Sequence, residues 1–482
     1  MTIKFNNLYA SLGEAFYASL DPDPLPNPQS VILNEDALGL IDLTINSFSD
    51  EDLRDFLSGS LMPKGSEPLA MVYSGHQFGG YSPRLGDGRG LLMGQVRNKT
   101  GELWDLHLKG SGKTPFSRMG DGRAVLRSCI REYLASEALF ALGIATTRAL
   151  SIVTSDEPVR RETIENASML MRLSRSHIRF GSFEYFSYTE QHNELRQLCD
   201  YTILNHFPQC SEQDNPYDAL LLAATEKTAL LIAHWQAFGF AHGVMNTDNM
   251  SIIGQTFDYG PYGFMESYDP YYICNHSDDQ GRYAFCQQPN IGYWNCQALA
   301  QALSPLISKE GPEKMRALYQ ETYNQCYHGL MVRKLGLTKP HPSDKQLYED
   351  LLDLLEGNKI DYSNFFRALS HYKISEDASS LTNLQSCANS FNPWFMRYKE
   401  RLISEKSCQE TRHKNMCAIN PKYILRNYLA QRAIQQAEMG DYQELTRLFM
   451  VLKNPYAEQP DHQAYAADTP PWGQNLQISC SS

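Results

Sequence analysis

The feature that most restricts this chain is the order in which a few short elements appear. A glycine-dense segment, YSGHQFGGYSPRLGDGRGLLMGQV, runs into strand-like sequence. LWDLHLK then alternates cleanly, with Trp104, Leu106 and Leu108 on one face and Asp105, His107 and Lys109 on the other. That pattern predicts a half-buried strand whose polar face looks into a cleft. RSCIREYLASEALFALG reads as a helix, with Ile130, Tyr133, Leu134, Ala138 and Ala141 as its apolar stripe and Gly143 as its stop. SMLMRL, Ser168 to Leu173, is a short strand. A long helix from about Ala219 to Phe238 leads into a polar loop holding Asp248-Asn249, and Asp258-Tyr259-Gly260 follows.

With 482 residues the chain exceeds one ordinary core. Hydrophobic content of 42% with 20% charge fits a folded chain, not a disordered one. The first 70 residues, with the Pro-rich DPDPLPNPQS, read as an extended lead-in. The last third is helical: Leu347, Leu351, Leu354 and Leu355 keep helical spacing before Gly357. Asn420-Pro421 predicts a helix start ahead of Leu425, Tyr428, Leu429 and Ala433, with Gly440 as its end. Beyond about Glu458 the sequence becomes a polar tail.

Glycine segment, strand lysine, helix glutamate, loop asparagine and a later aspartate form the running order of a kinase-type nucleotide site. The expected fold is therefore α+β, protein-kinase-like and two-lobed. It divides into an N-terminal extension (1–70), an N-lobe (71–180), a C-lobe (181–330) and a helical C-terminal region (331–482). Lys109 supplies a point cation for phosphate oxygens, and a helix glutamate would hold it in place. Helical arithmetic does not choose between Glu132 and Glu137. Asn249 and Asp258 offer hard oxygen ligands suited to magnesium, and Asp248 is a candidate base. Arg172, Arg175 and Arg179 lie close enough in sequence to neutralise phosphate charge together. Gly-Asp-Gly-Arg occurs twice, at Gly86 to Arg89 and at Gly120 to Arg123, either as a phosphate-approaching loop or as a plain turn. Laying the kinase pattern His-Arg-Asp-x-x-x-x-Asn on Asn249 puts its histidine at His242 and its catalytic aspartate at Val244. Valine accepts no proton, so ordinary kinase chemistry is in doubt. A kinase using Asp248, or a non-catalytic ATP-binding scaffold, are the competing readings.

A net charge of -12 opposes a nucleic-acid-gripping role but leaves room for a small cationic pocket. The first residues show no basic start followed by a long apolar core, so no secretory signal is expected, and the most apolar stretch carries Glu226 and Lys227. A cytoplasmic monomer without membrane or nucleic-acid partners is expected. Eleven cysteines include no CxxC pair, which argues against zinc or iron-sulfur clusters. Cys480, in the terminal ISCSS, is either part of a fraying tail or a redox-sensitive thiol that pins it.

YSGHQFGGYSPRLGDGRG, DLHLKGSGKTPFSRMGDGRAVLRSCIREYL, MRLSRSHIRFGSFEYF, HGVMNTDNMSIIGQTFDYGPYGF, NHSDDQGRYAF and NPKYILRNYLAQ together resemble the selenoprotein O family. The similarity spans nearly the whole chain, and the family's selenocysteine position is Cys480 here. The resemblance implies a kinase-like fold that binds ATP in reverse and transfers AMP to protein hydroxyls. It also implies UMP transfer from UTP with manganese. By the same resemblance Gly86, Gly88, Arg89, Lys109, Asp121, Gly122, Arg172, Arg179 and Asp258 contact the nucleotide, and Glu132 is the partner of Lys109. Asp248 is the proton acceptor, and Asn249 and Asp258 hold magnesium or manganese. Redox control through the tail is implied too, with Cys274 as the partner of Cys480.

Overall fold

The computed structural model describes residues 3–381, 384, 387–474 and 476. It is a mixed α+β fold, with an antiparallel sheet in the N-terminal part and helices through the C-terminal half. The strands in chain order are β1 (Tyr17–Ser19), β2 (Gln29–Leu33), β3 (Leu69–Met71), β4 (Gly75–Gln77), β5 (Gly80–Ser82), β6 (Gly90–Arg97), β7 (Leu103–Lys109), β8 (Ala124–Val125), β9 (Arg148–Arg160) and β10 (Ile164–Ser174). The main sheet runs β1-β3-β6-β7-β10-β9-β2, with β8 added on β10, while β4 and β5 form a separate hairpin. The first 70 residues are thus woven into the sheet and supply strands at both of its ends.

Register decides what the sheet presents. His107 stands opposite Leu92 and Arg172, Asp105 opposite Gln95 and Ser174, and Lys109 opposite Gly90 and Leu170. Side chains alternate, so Gln95, Asp105, His107, Lys109 and Arg172 share one face. The opposite face carries Leu91, Met93, Leu106, Leu108 and Met171, packed under Leu38 of α1 (Glu35–Gly39) and Leu53, Phe56 and Leu57 of α2 (Asp50–Leu57). β7 is consequently buried along its whole length, where alternation predicts a half-buried strand. The lead-in segment covers its apolar face. On its polar face Lys109 meets Glu132, His107 meets Asp87 and Asp105 meets His177.

α3 (Leu126–Ala141) starts one residue before the predicted Arg127 and ends at the expected place. Gly143 takes a left-handed φ of 81° and donates its N–H to the Phe140 carbonyl. The helix is enclosed on more than its apolar stripe. Beyond the sheet it meets α13 (Asn427–Glu438) and α14 (Gln443–Leu452), where Tyr133 packs edge-on to Phe449. α4 (Phe180–Tyr188), α5 (His192–His206), α6 (Pro216–Phe238), α7 (Gln288–Ala302) and α8 (Gly311–Lys334) form the next layer. α6 begins three residues before the predicted Ala219. The Asn215 side chain caps the N–H groups of Tyr217 and Asp218, and Pro216 occupies the first turn. Glu226 and Lys227 are exposed on this otherwise largely buried helix. No helix among the described residues is long and apolar enough to cross a membrane.

The C-terminal helices α9 (Asp344–Gly357), α10 (Tyr362–Leu369), α11 (Ala388–Glu405) and α12 (Gln409–Cys417) precede α13. The predicted helix start at Asn420-Pro421 does not form, and α13 begins at Asn427. Asn420 is instead buried, with its amide donating to the Lys334 carbonyl and to Ser370 Oγ. A cap needs its side chain free for the helix's own first turn, and this one is engaged elsewhere. The described part of the polar tail, up to Gln474, is docked: the Tyr465 hydroxyl bonds Glu444, the Thr469 hydroxyl bonds Glu266, and Trp472 packs edge-on to Tyr428.

Candidate active site

Between the polar face of the sheet and the loops that follow α6 lies a cavity of about 1010 Å³. Gly86, Gly88, Arg89, Lys109, Asp121, Gly122, Arg172, Arg179, Asp248, Asn249 and Asp258 all line it. Glu132 stands just behind the wall. Its Oε2 accepts from Lys109 Nζ at 2.7 Å, and its Oε1 lies 2.5 Å from Arg172 Nε. Burial alone would raise the Glu132 pKa, but Arg172 and then Lys109 outweigh it and hold the carboxyl below its usual range. Glu137, the other helix glutamate, faces away and forms a bidentate pair with Arg148, both contacts being 2.8 Å.

Asp258 joins the second half of the site to the sheet. Its Oδ1 takes Arg172 Nη1 at 2.9 Å, and its Oδ2 takes Arg179 Nη1. Burial pushes its carboxyl up, yet Arg179 and Arg172 win and keep it well below the ordinary carboxylate range. The residue has a left-handed φ of 56°, which aspartate tolerates better than most side chains. Arg179 also donates to the Asp248 carbonyl at 2.6 Å, which ties the two loops together. Asp248 behaves differently from Asp258. Burial pushes its carboxyl up to about 6 against the opposing Gln77 hydrogen bond and Arg179 charge.

The two Gly-Asp-Gly-Arg copies diverge. In the first, Arg89 faces the cavity beside Arg172 with no carboxylate at ion-pair distance among the described residues. Asp87 is structural: it accepts from the Met71 N–H at 3.0 Å and lies 3.3 Å from His107 Nε2. In the second copy Arg123 is tied to Asp23 and Glu157, each at 3.1 Å, and Asp121 is held by Arg161 at 2.7 Å. Gly86 packs the first loop against the second, and Gly122 closes the second on its own start. A Cβ at Gly86 would lie 2.5 Å from the Phe116 ring, and one at Gly122 would lie 2.1 Å from the Gly112 carbonyl carbon.

Arg175 does not join its neighbours. It bonds Glu102 at 2.6 Å and the Leu103 carbonyl at 3.0 Å, and it does not line the cavity. His242 is buried against Trp235, with Nε2 3.1 Å from the Phe257 carbonyl. The Val244 carbonyl accepts the Asn249 amide at 3.1 Å, which leaves the Asn249 side-chain oxygen for another partner. The sequence reading missed Gln77, whose Nε2 donates to Asp248 Oδ2 at 3.1 Å. Its only signal was membership of the glycine-dense segment. Cys274 is buried, donates weakly to the Ala241 carbonyl, and packs where a Cβ at Gly243 would lie 2.6 Å from its sulfur. Cys480 lies outside the described residues.

The donor set suits a hard divalent cation that shares nucleotide oxygens. Asn249 and Asp258 supply oxygen donors on one wall. No group of three or more His, Cys, Asp or Glu among the described residues could hold a metal by itself. An ion here would need phosphate oxygens to complete its shell.

The family described as protein adenylyltransferase SelO matches residues 1–453. A protein nucleotidyltransferase YdiU from Ectopseudomonas mendocina (strain ymp) is 51% identical over 481 residues, covering 100% of this chain and 99% of the relative. One of the same description from Pseudomonas fluorescens (strain Pf0-1) is 50% identical over 481 residues with the same coverage. Another from Myxococcus xanthus (strain DK1622) is 49% identical over 482 residues, again covering 100% and 99%. With the family matched over most of its length and relatives matched end to end, the chain belongs to the SelO family of protein adenylyltransferases.

Proposed function

We propose that the cavity binds ATP and that the chain transfers AMP from it to serine, threonine or tyrosine hydroxyls of proteins. One arrangement supports this most: Arg89, Lys109, Arg172 and Arg179 converge on a single cavity whose wall also carries the buried carboxylate of Asp248. Four cations suit a triphosphate. A carboxyl raised to about 6 still ionises near neutral pH and accepts a proton more readily than an ordinary aspartate. In this reading Gly86, Gly88, Asp121 and Gly122 complete the nucleotide contacts, and the triphosphate enters with its terminal end innermost. The core is protein-kinase-like, its two lobes spanning 71–180 and 181–330, with flanking regions 1–70 and 331–482.

The acceptor oxygen forms a bond to the α-phosphorus as the bond from that phosphorus to the pyrophosphate oxygen breaks. Pyrophosphate leaves, and the hydroxyl proton passes to Asp248. Glu132 keeps Lys109 and Arg172 aimed at the phosphates, and Arg179 holds the Asp248 backbone against Asp258. Magnesium or manganese held by Asn249, Asp258 and phosphate oxygens would supply charge stabilisation. UTP with manganese is a second substrate in the same reading, giving UMP transfer. A disulfide between Cys274 and Cys480 would make the enzyme redox-sensitive. Mass mapping tests it, and an oxidised-protein disulfide unchanged in Cys274→Ala would overturn it.

ATP labelled at either end tests the main reading. Label should pass to protein from the α-phosphate and not from the γ-phosphate, and a chelator should abolish the transfer. Transfer of γ-label would identify a kinase. Tight ATP binding with neither label transferred would identify a scaffold.

A further inference from the structure

The β4–β5 hairpin grips the loop that carries Asp248. The His76 N–H donates to Thr247 Oγ1 at 2.7 Å. The Phe78 N–H donates to Asn246 Oδ1 at 3.2 Å and lies 3.0 Å from the Tyr283 hydroxyl, which itself bonds Asn246 at 2.6 Å. The carboxylate of Glu184 closes the arrangement, with one oxygen 2.9 Å from His76 Nδ1 and the other accepting the Thr247 hydroxyl at 2.7 Å. Main-chain groups and neighbouring side chains therefore seat the hairpin. None of these contacts uses the side chain of Gln77.

Gln77 is thus free for another task. It lines the cavity, and its amide donates to Asp248 Oδ2 at 3.1 Å. The other carboxylate oxygen, Oδ1, is shut off from solvent and has no hydrogen-bond partner among the described residues. Gly75 lies over it so closely that a Cβ there would be 2.7 Å away. The carboxylate is therefore pinned at both ends: Oδ1 by close packing against Gly75, Oδ2 by one directed hydrogen bond. Rotating the carboxylate would drive an oxygen into the hairpin backbone or break the Gln77 contact.

We propose that Gln77 is a positioning residue for transfer: its amide fixes the Asp248 carboxylate with Oδ2 as the oxygen presented to the acceptor hydroxyl. This rests on the reading of Asp248 as proton acceptor. The glutamine makes no bond in the reaction. It sets the direction from which the acceptor's proton is taken, and a base a fraction of an ångström out of line loses much of its effect.

The test uses the full chain, ATP labelled at the α-phosphate, and dephosphorylated casein as the acceptor protein. Gln77→Met keeps length and shape but removes the donor. We expect kcat to fall by about ten- to a hundredfold, a fraction of what a general base contributes. KM for ATP and the thermal midpoint should stay at their wild-type values, because neither ATP binding nor hairpin anchoring uses this amide. In an Asp248→Asn background the same change should cost nothing further. An unchanged kcat, a parallel rise in KM for ATP, or an equal loss in the Asp248→Asn background would each overturn the proposal. Full activity in Asp248→Asn alone would instead remove the proton-acceptor reading itself, so the two failures are separable.

Discussion

Glu132 Oε2 holds Lys109 Nζ at 2.7 Å with both side chains almost wholly buried, and the same carboxylate also pairs with Arg172. Removing it leaves two cations inside the protein without their shared counter-charge. Glu132→Ala should destabilise the fold by about 3–5 kcal/mol, the cost of breaking a buried pair from one side. It should also weaken ATP binding, because Lys109 and Arg172 lose their aim. Thermal unfolding and calorimetric ATP titration check both effects. An unaltered midpoint would show that the pair is not needed for the fold.

Asp258 calls for a gentler substitution. Its left-handed backbone suits asparagine nearly as well as aspartate, so Asp258→Asn keeps the loop while removing the charge shared by Arg172 and Arg179. Transfer of AMP should fall by about two orders of magnitude or more, comparable to losing a principal electrostatic group. Because the folded carboxyl is held far below its ordinary range, its contribution to stability is complete above the unfolded aspartate pKa of about 3.9. That contribution is lost only in stronger acid. The variant's unfolding midpoint should therefore lie below the wild type's at neutral pH and approach it on acidification.

Lys109, Asp248 and Asp258 were legible in the sequence because each sits in a distinctive local setting: a strand end, an Asp-Asn pair, an Asp-Tyr-Gly. The choice between Glu132 and Glu137 was not, because α3 is buried on several sides and both glutamates find buried basic partners. Periodicity reports one face only. Arg123 and Arg89 share a motif but not a fate, since the difference comes from Asp23 and Glu157, remote in sequence. The same limit hid the full burial of β7, whose cover comes from α1 and α2. Asn420 carried a cap signal that failed because a tertiary contact with the Lys334 carbonyl takes its side chain.

Gly122 lets the second glycine loop close on its own start, where the Gly112 N–H donates to the Gly122 carbonyl at 3.1 Å. It has φ of 79°, and a Cβ would lie 2.1 Å from the Gly112 carbonyl carbon and 2.3 Å from the Lys113 nitrogen. Both obstacles are backbone, so the loop itself must move. Gly122→Ala should raise the Kd for ATP about tenfold or more, equivalent to about 1.4 kcal/mol. The sheet core should remain folded, because the strain is confined to the loop. Titration with ATP alongside far-ultraviolet circular dichroism separates these outcomes, and wild-type affinity would show that the loop does not contact nucleotide.

Lys334 offers a test of stability away from the cavity. It is buried at the end of α8, with Nζ 4.4 Å from the Phe366 ring centroid, 5.3 Å from Phe238 and 5.4 Å from Tyr362. Burial lowers its pKa to about 7, and the aromatic faces supply only part of what water gave the ammonium. An unfolded lysine titrates at about 10.4, so between these values the unfolded chain binds a proton that the folded chain does not. Stability from this group therefore rises with pH across that window and is lowest when the buried ammonium is charged. Lys334→Met keeps a flexible chain of similar reach and removes the titration. The variant should be the more stable protein at about pH 6, with the gap narrowing towards about pH 10. Urea unfolding at the two pH values measures it. A gap that stays constant, or a variant less stable at the lower pH, would show that Lys334 is not carried as a strained buried cation.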